Sequence, residues 1–217
     1  AAAGRFKLTD SIRIKNEFKS IVDRSSYSLD PKDDSEFTLY EQLGRKRTIQ
    51  DLVYLMIIAS SNLATNLVIE WVGAKEVTGT MRSLGLNDIE VLRGVEDGKA
   101  FAKGLNNKVT ALDLMHLFDK MAVGQLINKE SSEKMITILR DQKYRDIIPA
   151  LLPSDVVVAH KTGWIRGVQH DSGIVLLPDG RRYTLVILSK DLTDEPSAIK
   201  SMAVVSRMIY NYAVHIR

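Results

Sequence analysis

Residues 155–188, DVVVAHKTGWIRGVQHDSGIVLLPDGRRYTLVIL, decide the fold predicted for this chain. Three runs within this stretch, 155–160, 173–177 and 183–188, are short and rich in β-branched and aliphatic residues, as strands are. Pro178-Asp179-Gly180 separates the last two runs and is typical of a tight turn. The stretch therefore predicts three sequential antiparallel strands.

Helical patterns precede and follow these strands. Pro196, a residue type favoured at the start of a helix, introduces a predicted terminal helix over Ser197–Val214. Between Thr48 and about Tyr144, apolar residues recur at helical spacing. The fold class is thus α/β of the α+β type, an all-helical lobe followed by an antiparallel sheet that the C-terminal helix covers. The helices predicted in the lobe are 48–59 with Thr48 as N-cap, 63–72, 74–84, one from Thr110 to near Gly124, and one capped by Ser131 or Ser132.

The remaining segments complete the expected domain organisation. Residues 7–47 are polar and broken, which predicts a surface connection with little regular structure. Residues 87–107 carry three glycines and no sustained period, which predicts a long, ordered loop. We expect a mostly helical lobe at 1–154 and a sheet with its helix at 155–217, together forming one compact catalytic unit.

Composition excludes several classes of function. The 217 residues include 30 Lys and Arg against 27 Asp and Glu, and the two signs are interspersed, so we expect no nucleic-acid partner. The absence of cysteine excludes disulfides, thiolate metal sites and cysteine nucleophiles. The four histidines form no close ligand pair, and no apolar run is long enough to span a membrane. We therefore expect no metal, no cofactor and no membrane span.

Two short motifs carry chemistry. Ser60-Ser61-Asn62 interrupts two helical runs, where a hydroxyl and a carboxamide can project from a turn. Lys161-Thr162-Gly163 lies at the end of the first predicted strand and combines a point charge, an anion-binding hydroxyl and a residue that permits close ligand approach. Taken singly, the first motif is equally typical of a helix cap and the second of a turn with an exposed lysine.

Together and in this order, the motifs resemble those of class A β-lactamases and related penicillin-recognising serine hydrolases, whose signatures are S-x-x-K, S-D-N and K-T-G. The resemblance includes residues 60–67 as the S-D-N turn and following helix, with Ser61 in place of the aspartate. It also includes residues 160–164 as the K-T-G strand, and residues 93–97 within a loop like the family's omega loop. It implies a β-lactamase/transpeptidase-like fold.

The resemblance implies a role for each motif residue. Ser60 would relay a proton to the leaving nitrogen, and Asn62 would hydrogen-bond the side-chain amide of the substrate. Lys161 would provide positive potential near Ser60 and the substrate carboxylate. The rest of the K-T-G strand would donate to that carboxylate through Thr162, admit the substrate at Gly163 and supply the backbone N–H of Trp164 to an oxyanion hole.

Two further site residues are open to alternatives. Glu96 resembles the omega-loop glutamate that activates water, but Ala100 stands where the family has asparagine. The alternative, equally open, is that Glu96 is an exposed loop carboxylate. His170 is expected roughly opposite Lys161, where some relatives place an arginine that supports carboxylate binding. The alternative for His170 is a strand histidine bonded to its neighbour Asp171.

The S-x-x-K nucleophile has no match before Ser60. The two literal matches, Ser131 to Lys134 and Ser197 to Lys200, both begin predicted helices, where serine is expected as a cap. The resemblance places Ala1–Gly4 at the end of the helix that would begin with the nucleophile. We therefore expect the nucleophile helix and the outer N-terminal strands to be absent from this sequence; a tag or frayed terminus is the alternative.

Three functions remain open at this point. The first is a serine β-lactamase-like hydrolase, and the second is a D-alanyl-D-alanine peptidase or penicillin-binding protein of the same fold. The third is a catalytically inactive fragment. The partner implied by the resemblance is a small β-lactam or acyl-D-amino acid substrate. The resemblance also implies a secreted or periplasmic location. The sequence gives no oligomeric state.

Overall fold

The structure is a computed structural model that describes residue 4 and residues 6–216. The predicted helix end at Ala1–Ala3 lies outside the described residues, whereas Gly4 has φ +74°, the left-handed conformation expected of a cap glycine. The chain divides into two units, Ala1–Thr110 and Ala111–Arg217. The α+β class is confirmed.

The first unit opens with two small antiparallel ribbons. Strand β1 (Ser11–Arg13) pairs with β4 (Lys46–Thr48), and β2 (Phe18–Lys19) pairs with β3 (Ser26–Tyr27). The prediction of a surface connection over residues 7–47 is therefore wrong. Single apolar residues, from very short strands and from the segments between them, reach the core without forming a run, so no pattern shows in the sequence. Those buried here are Ile12, Ile14, Phe18, Leu29 and Leu39, which cluster with Leu52, Leu63 and Leu67.

Three helices follow, close to their predicted bounds: α1 (Ile49–Ile58), α2 (Asn62–Val72) and α3 (Ala74–Ser83). Thr48 caps α1 as predicted, because its hydroxyl accepts from the backbone N–H of Asp51. The predicted loop at 87–107 is ordered by an antiparallel bridge between Glu90 and Lys108. It also contains a short helix, α4 (Gly98–Ala102), that the sequence did not predict.

The second unit is a three-stranded antiparallel sheet with helices. Its strands, β5 (Val157–Ile165), β6 (Val168–Leu176) and β7 (Arg182–Leu188), lie in sequence order, which confirms the predicted meander. Helices α5 (Ala111–Ala122) and α6 (Lys129–Arg140) pack on the strands, and so does the terminal α7 (Glu195–His215). The buried core residues of this unit are Ile147, Ile148, Val156, Val158, Val175, Leu177, Leu185 and Met202.

Three details differ from the sequence-based expectations. Asn128 caps α6 and Asp194 caps α7, so neither Ser131 nor Ser197 is an N-cap; each lies one turn inside and donates its backbone N–H to the capping side chain. The β5–β6 hairpin continues to the pair Ile165–Val168, so the K-T-G motif lies inside a strand and not at its end. The unit boundary falls after Thr110, and not after residue 154, because α5 and α6 pack on the sheet.

Candidate active site

The Ser60-Ser61-Asn62 turn joins α1 to α2. Ser60 is half-buried and has φ +54°, a left-handed conformation that is uncommon for a residue with a side chain and that clusters at functional sites. Ser61 is fully buried, and its hydroxyl accepts from the backbone N–H of Ala64 at 3.2 Å. Ser61 therefore caps α2, and Ser60 and Asn62 are the residues of the turn that remain candidates for contact with a ligand.

A buried carboxylate supports this turn from a distant loop. Asp34 accepts from the backbone N–H of Asn62 at 3.0 Å through Oδ1 and from that of Leu63 at 2.9 Å through Oδ2. A negative charge at the N-terminus of a helix satisfies its free N–H groups and complements its dipole. The sequence showed only a polar loop at Asp34, because a cap 28 residues away leaves no local pattern.

Two neighbours of Asp34 complete the support. The Tyr40 hydroxyl donates to Asp34 Oδ2 at 2.9 Å, and burial together with this carboxylate raises the pKa of Tyr40 well above its ordinary value. Asn62 donates its side-chain N–H to the carbonyl oxygen of Asp33 at 3.3 Å. The expected amide-binding group is thus held in place by the protein.

Glu96 lies in a loop fixed by its neighbours. Glu96 is exposed and has φ +60°, whereas the adjacent Asp97 is buried and caps α4. Burial acts to raise the pKa of Asp97, but hydrogen bonds from the backbone N–H groups of Ile21 and Ala100 outweigh it, and the pKa is lowered. The carboxylate of Asp97 is therefore structural, whereas that of its neighbour Glu96 is in contact with solvent.

The K-T-G motif lies on β5, at the edge of the three-stranded sheet. Lys161 is half-buried, and Nζ donates to the carbonyl oxygen of Thr162 at 2.6 Å. Burial lowers the pKa of Lys161 to about 8, although the charge of Asp171 opposes this. Trp164 is 69% exposed and pairs in register with Gln169. The strand thus presents a cation, a hydroxyl and an aromatic side chain along one segment.

Gly163 is open on its side-chain face. A Cβ added there would meet only the Cβ of His170, at 3.9 Å, which is ordinary van der Waals contact. Packing within the protein therefore does not require glycine at this position. Room beside the backbone is what a ligand binding along the strand would use.

His170 lies two positions along β6 from the residue that pairs with Lys161, and its imidazole contacts the backbone and not Asp171. It pairs with Gly163, whereas Lys161 pairs with Ser172. Its Nδ1 lies 2.8 Å from the carbonyl oxygen of Gln169 and 3.1 Å from the backbone nitrogen of Ser189. Asp171 contacts His160 instead, because adjacent residues of a strand point to opposite faces of the sheet. The buried His160–Asp171 pair was missed by the sequence analysis.

The structure thus groups the predicted site residues by unit. Ser60, Asn62 and Glu96 lie in the first unit, and the other five lie on two paired strands of the second. Within the described residues, there is no group of three or more His, Asp or Glu side chains arranged to hold a metal ion. Nor does that part of the chain contain a helix long and apolar enough to cross a membrane.

Comparisons with known proteins place these features in a family. Over 192 residues the chain is 27% identical to a β-lactamase of Bacteroides uniformis, an alignment that covers 82% of this chain and 62% of that protein. The structure matches a Sphaerobacter thermophilus β-lactamase with a TM-score of 0.81 and 26% identity, over 99% of this chain and 77% of the other. PBP-A matches with the same TM-score at 25% identity, over 99% and 75%. A sequence model of the β-lactamase enzyme family matches residues 1–213, and the protein therefore belongs to that family.

Proposed function

We propose that this chain carries the substrate-binding and proton-transfer part of a serine hydrolase that opens β-lactam amides through an acyl-enzyme. The observation that carries the proposal is the Lys161-Thr162-Gly163 segment on an edge strand. It combines a desolvated lysine with an open backbone in a chain of the β-lactamase family. The partner would be a small β-lactam or acyl-D-amino acid, met outside the cytoplasmic membrane.

Lys161 and Thr162 would bind the substrate carboxylate. With a pKa of about 8, Lys161 is mainly cationic at pH 7, and its half-buried position weakens the solvent screening of its charge. The Thr162 hydroxyl adds a directional donor beside it. The two together favour a small anion over a neutral ligand.

The edge of β5 would hold the reacting carbonyl. Among the described strands, β5 pairs only with β6, so its outer backbone groups are not used by another strand. The backbone N–H of Trp164 would donate to the developing oxyanion, and Gly163 leaves the space that an adjacent ligand needs. His170, across the hairpin from Gly163, would line the same segment.

Ser60 and Asn62 would act on the amide side of the substrate. Ser60 would pass a proton to the leaving nitrogen, a task that suits a hydroxyl held in a strained turn. Asn62 would bind the substrate's side-chain amide, and its bonds to Asp33 and Asp34 support a fixed orientation. Glu96 would activate the water that releases the acyl group.

A second candidate is a penicillin-binding protein or D-alanyl-D-alanine peptidase of the same fold. Two observations favour it: Glu96 is exposed, and four residues later the chain has a buried Ala100 where class A enzymes have asparagine. A PBP-A variant, 26% identical with a TM-score of 0.81, is described as an acyl-enzyme complex with penicillin G. Without an effective water activator, the acyl group would persist.

The acylated serine itself is proposed to lie outside these 217 residues. Ser131 donates its backbone N–H to Asn128, and the Ser197 hydroxyl donates to Asp194 Oδ2 at 2.6 Å, so both serines serve helix starts. The chain as given would then be an inactive part of the catalytic unit. Intact-mass spectrometry after incubation with penicillin should show no adduct on this chain; an adduct on Ser131 or Ser197 would overturn this assignment.

Activity is tested on a form extended to include a Ser-x-x-Lys helix. We expect this form to hydrolyse a chromogenic cephalosporin, and Lys161→Ala to lose turnover while Lys143→Ala, an exposed lysine, keeps it. Normal turnover by Lys161→Ala would contradict the role of Lys161. A persistent penicillin adduct in the unaltered form selects the penicillin-binding protein, and rapid return to the free mass selects the β-lactamase.

A further inference from the structure

One buried carboxylate accepts from the first N–H groups of α2 from outside the helix. Asp34 Oδ1 accepts from the backbone N–H of Asn62 at 3.0 Å, and Oδ2 accepts from that of Leu63 at 2.9 Å. Ser61, the N-cap, accepts from the backbone N–H of Ala64 at 3.2 Å. The first three N–H groups of α2 are therefore satisfied, two of them by Asp34.

Two further donors hold Asp34 at this place. The backbone N–H of Glu36 donates to Oδ1 at 3.0 Å, and the Tyr40 hydroxyl donates to Oδ2 at 2.9 Å. Each oxygen of Asp34 thus accepts two hydrogen bonds. A carboxylate can do this, whereas an asparagine, with one oxygen and an NH₂ group, cannot. Asp34 is 9% exposed, so these bonds are largely shielded from water.

The charge at this helix start comes from a different residue than the family signature indicates. The S-D-N signature has an aspartate where this chain has Ser61. An aspartate at an N-cap brings a negative charge to the helix start and accepts from the second or third N–H group. Here Ser61 is a neutral cap, and Asp34 brings the charge. The two residues together therefore do what one capping aspartate would do.

The same loop orients the side chain of Asn62. Asn62 Nδ2 donates to the carbonyl oxygen of Asp33, so consecutive loop residues bind the side chain and the backbone of Asn62. Ser60, on the other side of Ser61, has φ +54°, a conformation that persists only where its surroundings hold it. The positions of both candidate residues of the turn therefore depend on the contact between this loop and the start of α2.

A neighbouring carboxylate of the loop has a different task. Glu36 is 8% exposed, close to the value for Asp34. Its carboxylate accepts from the backbone N–H of Thr38 at 2.8 Å and from the Thr38 hydroxyl, two residues along the chain. Glu36 is therefore a matched control, an acid of similar burial whose carboxylate bonds the loop itself.

We propose that Asp34 is a positioning residue of the Ser60-Ser61-Asn62 turn. From a loop 28 residues before Asn62, it supplies the carboxylate that the S-D-N signature has at the position of Ser61. Asp34 does not touch the substrate; it acts through Asn62 and the start of α2. This inference rests on the proposed function, since it assigns how the proposed amide-binding residue is held.

The test is the melting temperature of four variants of the chain as given, with aspartate or asparagine at positions 34 and 61, so that side-chain size stays constant. The two with one carboxylate, Ser61→Asn and the double variant Asp34→Asn/Ser61→Asp, should melt highest. Ser61→Asp alone puts two like charges at one helix start, and Asp34→Asn/Ser61→Asn leaves none there. Differences of about 2–8 °C are expected for a chain of this size.

The decisive result is a change of sign. Aspartate in place of asparagine at position 61 should lower the melting temperature when Asp34 is present and raise it in Asp34→Asn. In Glu36→Gln, used in place of Asp34→Asn, aspartate at position 61 should stay unfavourable. The same effect of aspartate at position 61 with and without Asp34 would overturn the proposal, because a merely structural Asp34 would not be replaceable from position 61.

A second measurement covers the case in which position 61 tolerates no larger side chain. In Asp34→Ala, amide hydrogen exchange should be faster by about tenfold or more at Asn62 and Leu63, and much less affected at Ala64, whose acceptor is Ser61. Glu36→Ala should leave the exchange at Asn62 and Leu63 close to that of the unaltered chain. Unchanged exchange at these two residues in Asp34→Ala would also overturn the proposal.

The link to activity is measured in the extended form, at a temperature at which every variant is folded. Asp34→Asn should lower kcat/KM for the cephalosporin by about tenfold or more, and adding Ser61→Asp should restore most of it, since small displacements of substrate-contacting groups are costly. Full activity of Asp34→Asn would overturn the positioning role. Because the melting and exchange experiments use no β-lactam, an inactive extended form would count against the proposed function and not against the placement of this carboxylate.

Discussion

Asn66 and Val95 are joined by two hydrogen bonds that fasten the loop carrying Glu96 to helix α2. Asn66 Oδ1 accepts from the backbone N–H of Val95 at 2.6 Å, and Asn66 Nδ2 donates to the carbonyl oxygen of Val95 at 3.0 Å. Asn66 is 1% exposed, so its amide is committed to this backbone. One side chain therefore sets the position of the residue next to Glu96.

The two hydrogen bonds between Asn66 and Val95, here called the Asn66 clamp, require glycine at position 94. A Cβ at Gly94 would lie 2.3 Å from Asn66 Oδ1, so Gly94→Ala should push the loop away and reduce the unfolding free energy by about 1–3 kcal/mol. Urea unfolding measures the loss. The matched control is Gly98→Ala, where the added Cβ meets nothing within 4 Å and alanine favours helix α4. Equal stability of Gly94→Ala and the unaltered chain would contradict the clamp.

Gly173 and Gly163 should respond differently to alanine. Gly173→Ala places a Cβ 2.3 Å from the Ala159 carbonyl oxygen in the middle of the sheet, and should destabilise by about 1–3 kcal/mol. Gly163→Ala meets only an ordinary contact and should retain stability. In the extended form, Gly163→Ala should instead reduce cephalosporin turnover. A comparable loss of melting temperature in both variants would show that Gly163 is there for packing.

Lys161 should make stability rise with pH. Its pKa is about 8 in the folded chain and about 10.4 when unfolded, so between these values the unfolded state binds more protons. The cost of the buried cation is thus fully present below pH 8 and lost as the pH rises through this window. Since each tenfold change in proton affinity is worth about 1.4 kcal/mol, Lys161→Met should stabilise the chain at pH 7 by on the order of 2 kcal/mol.

The check is the difference in unfolding free energy between Lys161→Met and the unaltered chain at several pH values. The difference should shrink from pH 8 to pH 10.5, and taking a difference removes contributions from tyrosines such as Tyr27, whose pKa burial raises to about 12. Lys143→Met, at an exposed position, should give a flat curve. A flat curve for Lys161→Met would refute the depressed lysine pKa.

Asp34 should contribute more to the stability of the fold than an ordinary loop aspartate does. Asp34→Ala leaves the N–H groups of Asn62 and Leu63 without their acceptor, and should cost about 1–2 kcal/mol of stability. Asp30→Ala, which removes only the exposed cap of the 3₁₀ turn Pro31–Asp33, should cost less than half as much. Thermal unfolding of the two variants decides the point, and a larger loss in Asp30→Ala would contradict the long-range cap.

The sequence by itself determined the features that local chemistry dictates. Helix α1 with its Thr48 cap, the three-strand meander and the terminal helix follow from periodicity and turn residues, which act within a few positions along the chain. The two motifs were likewise visible as short strings. The prediction of Ser131 and Ser197 as caps was wrong, because Asn128 and Asp194, three residues earlier, cap these helices and accept from the backbone N–H groups of the two serines.

Only the tertiary structure decided which distant residues meet. The β1–β4 ribbon, the Asp34 support of Asn62, the Asn66 clamp and the His160–Asp171 pair join positions between 11 and 37 residues apart. Such contacts are selected by burial, since a buried polar group must find a partner wherever the fold supplies one. The sequence therefore identifies Ser60 and Lys161 as candidate site residues, and the packing determines which groups support them.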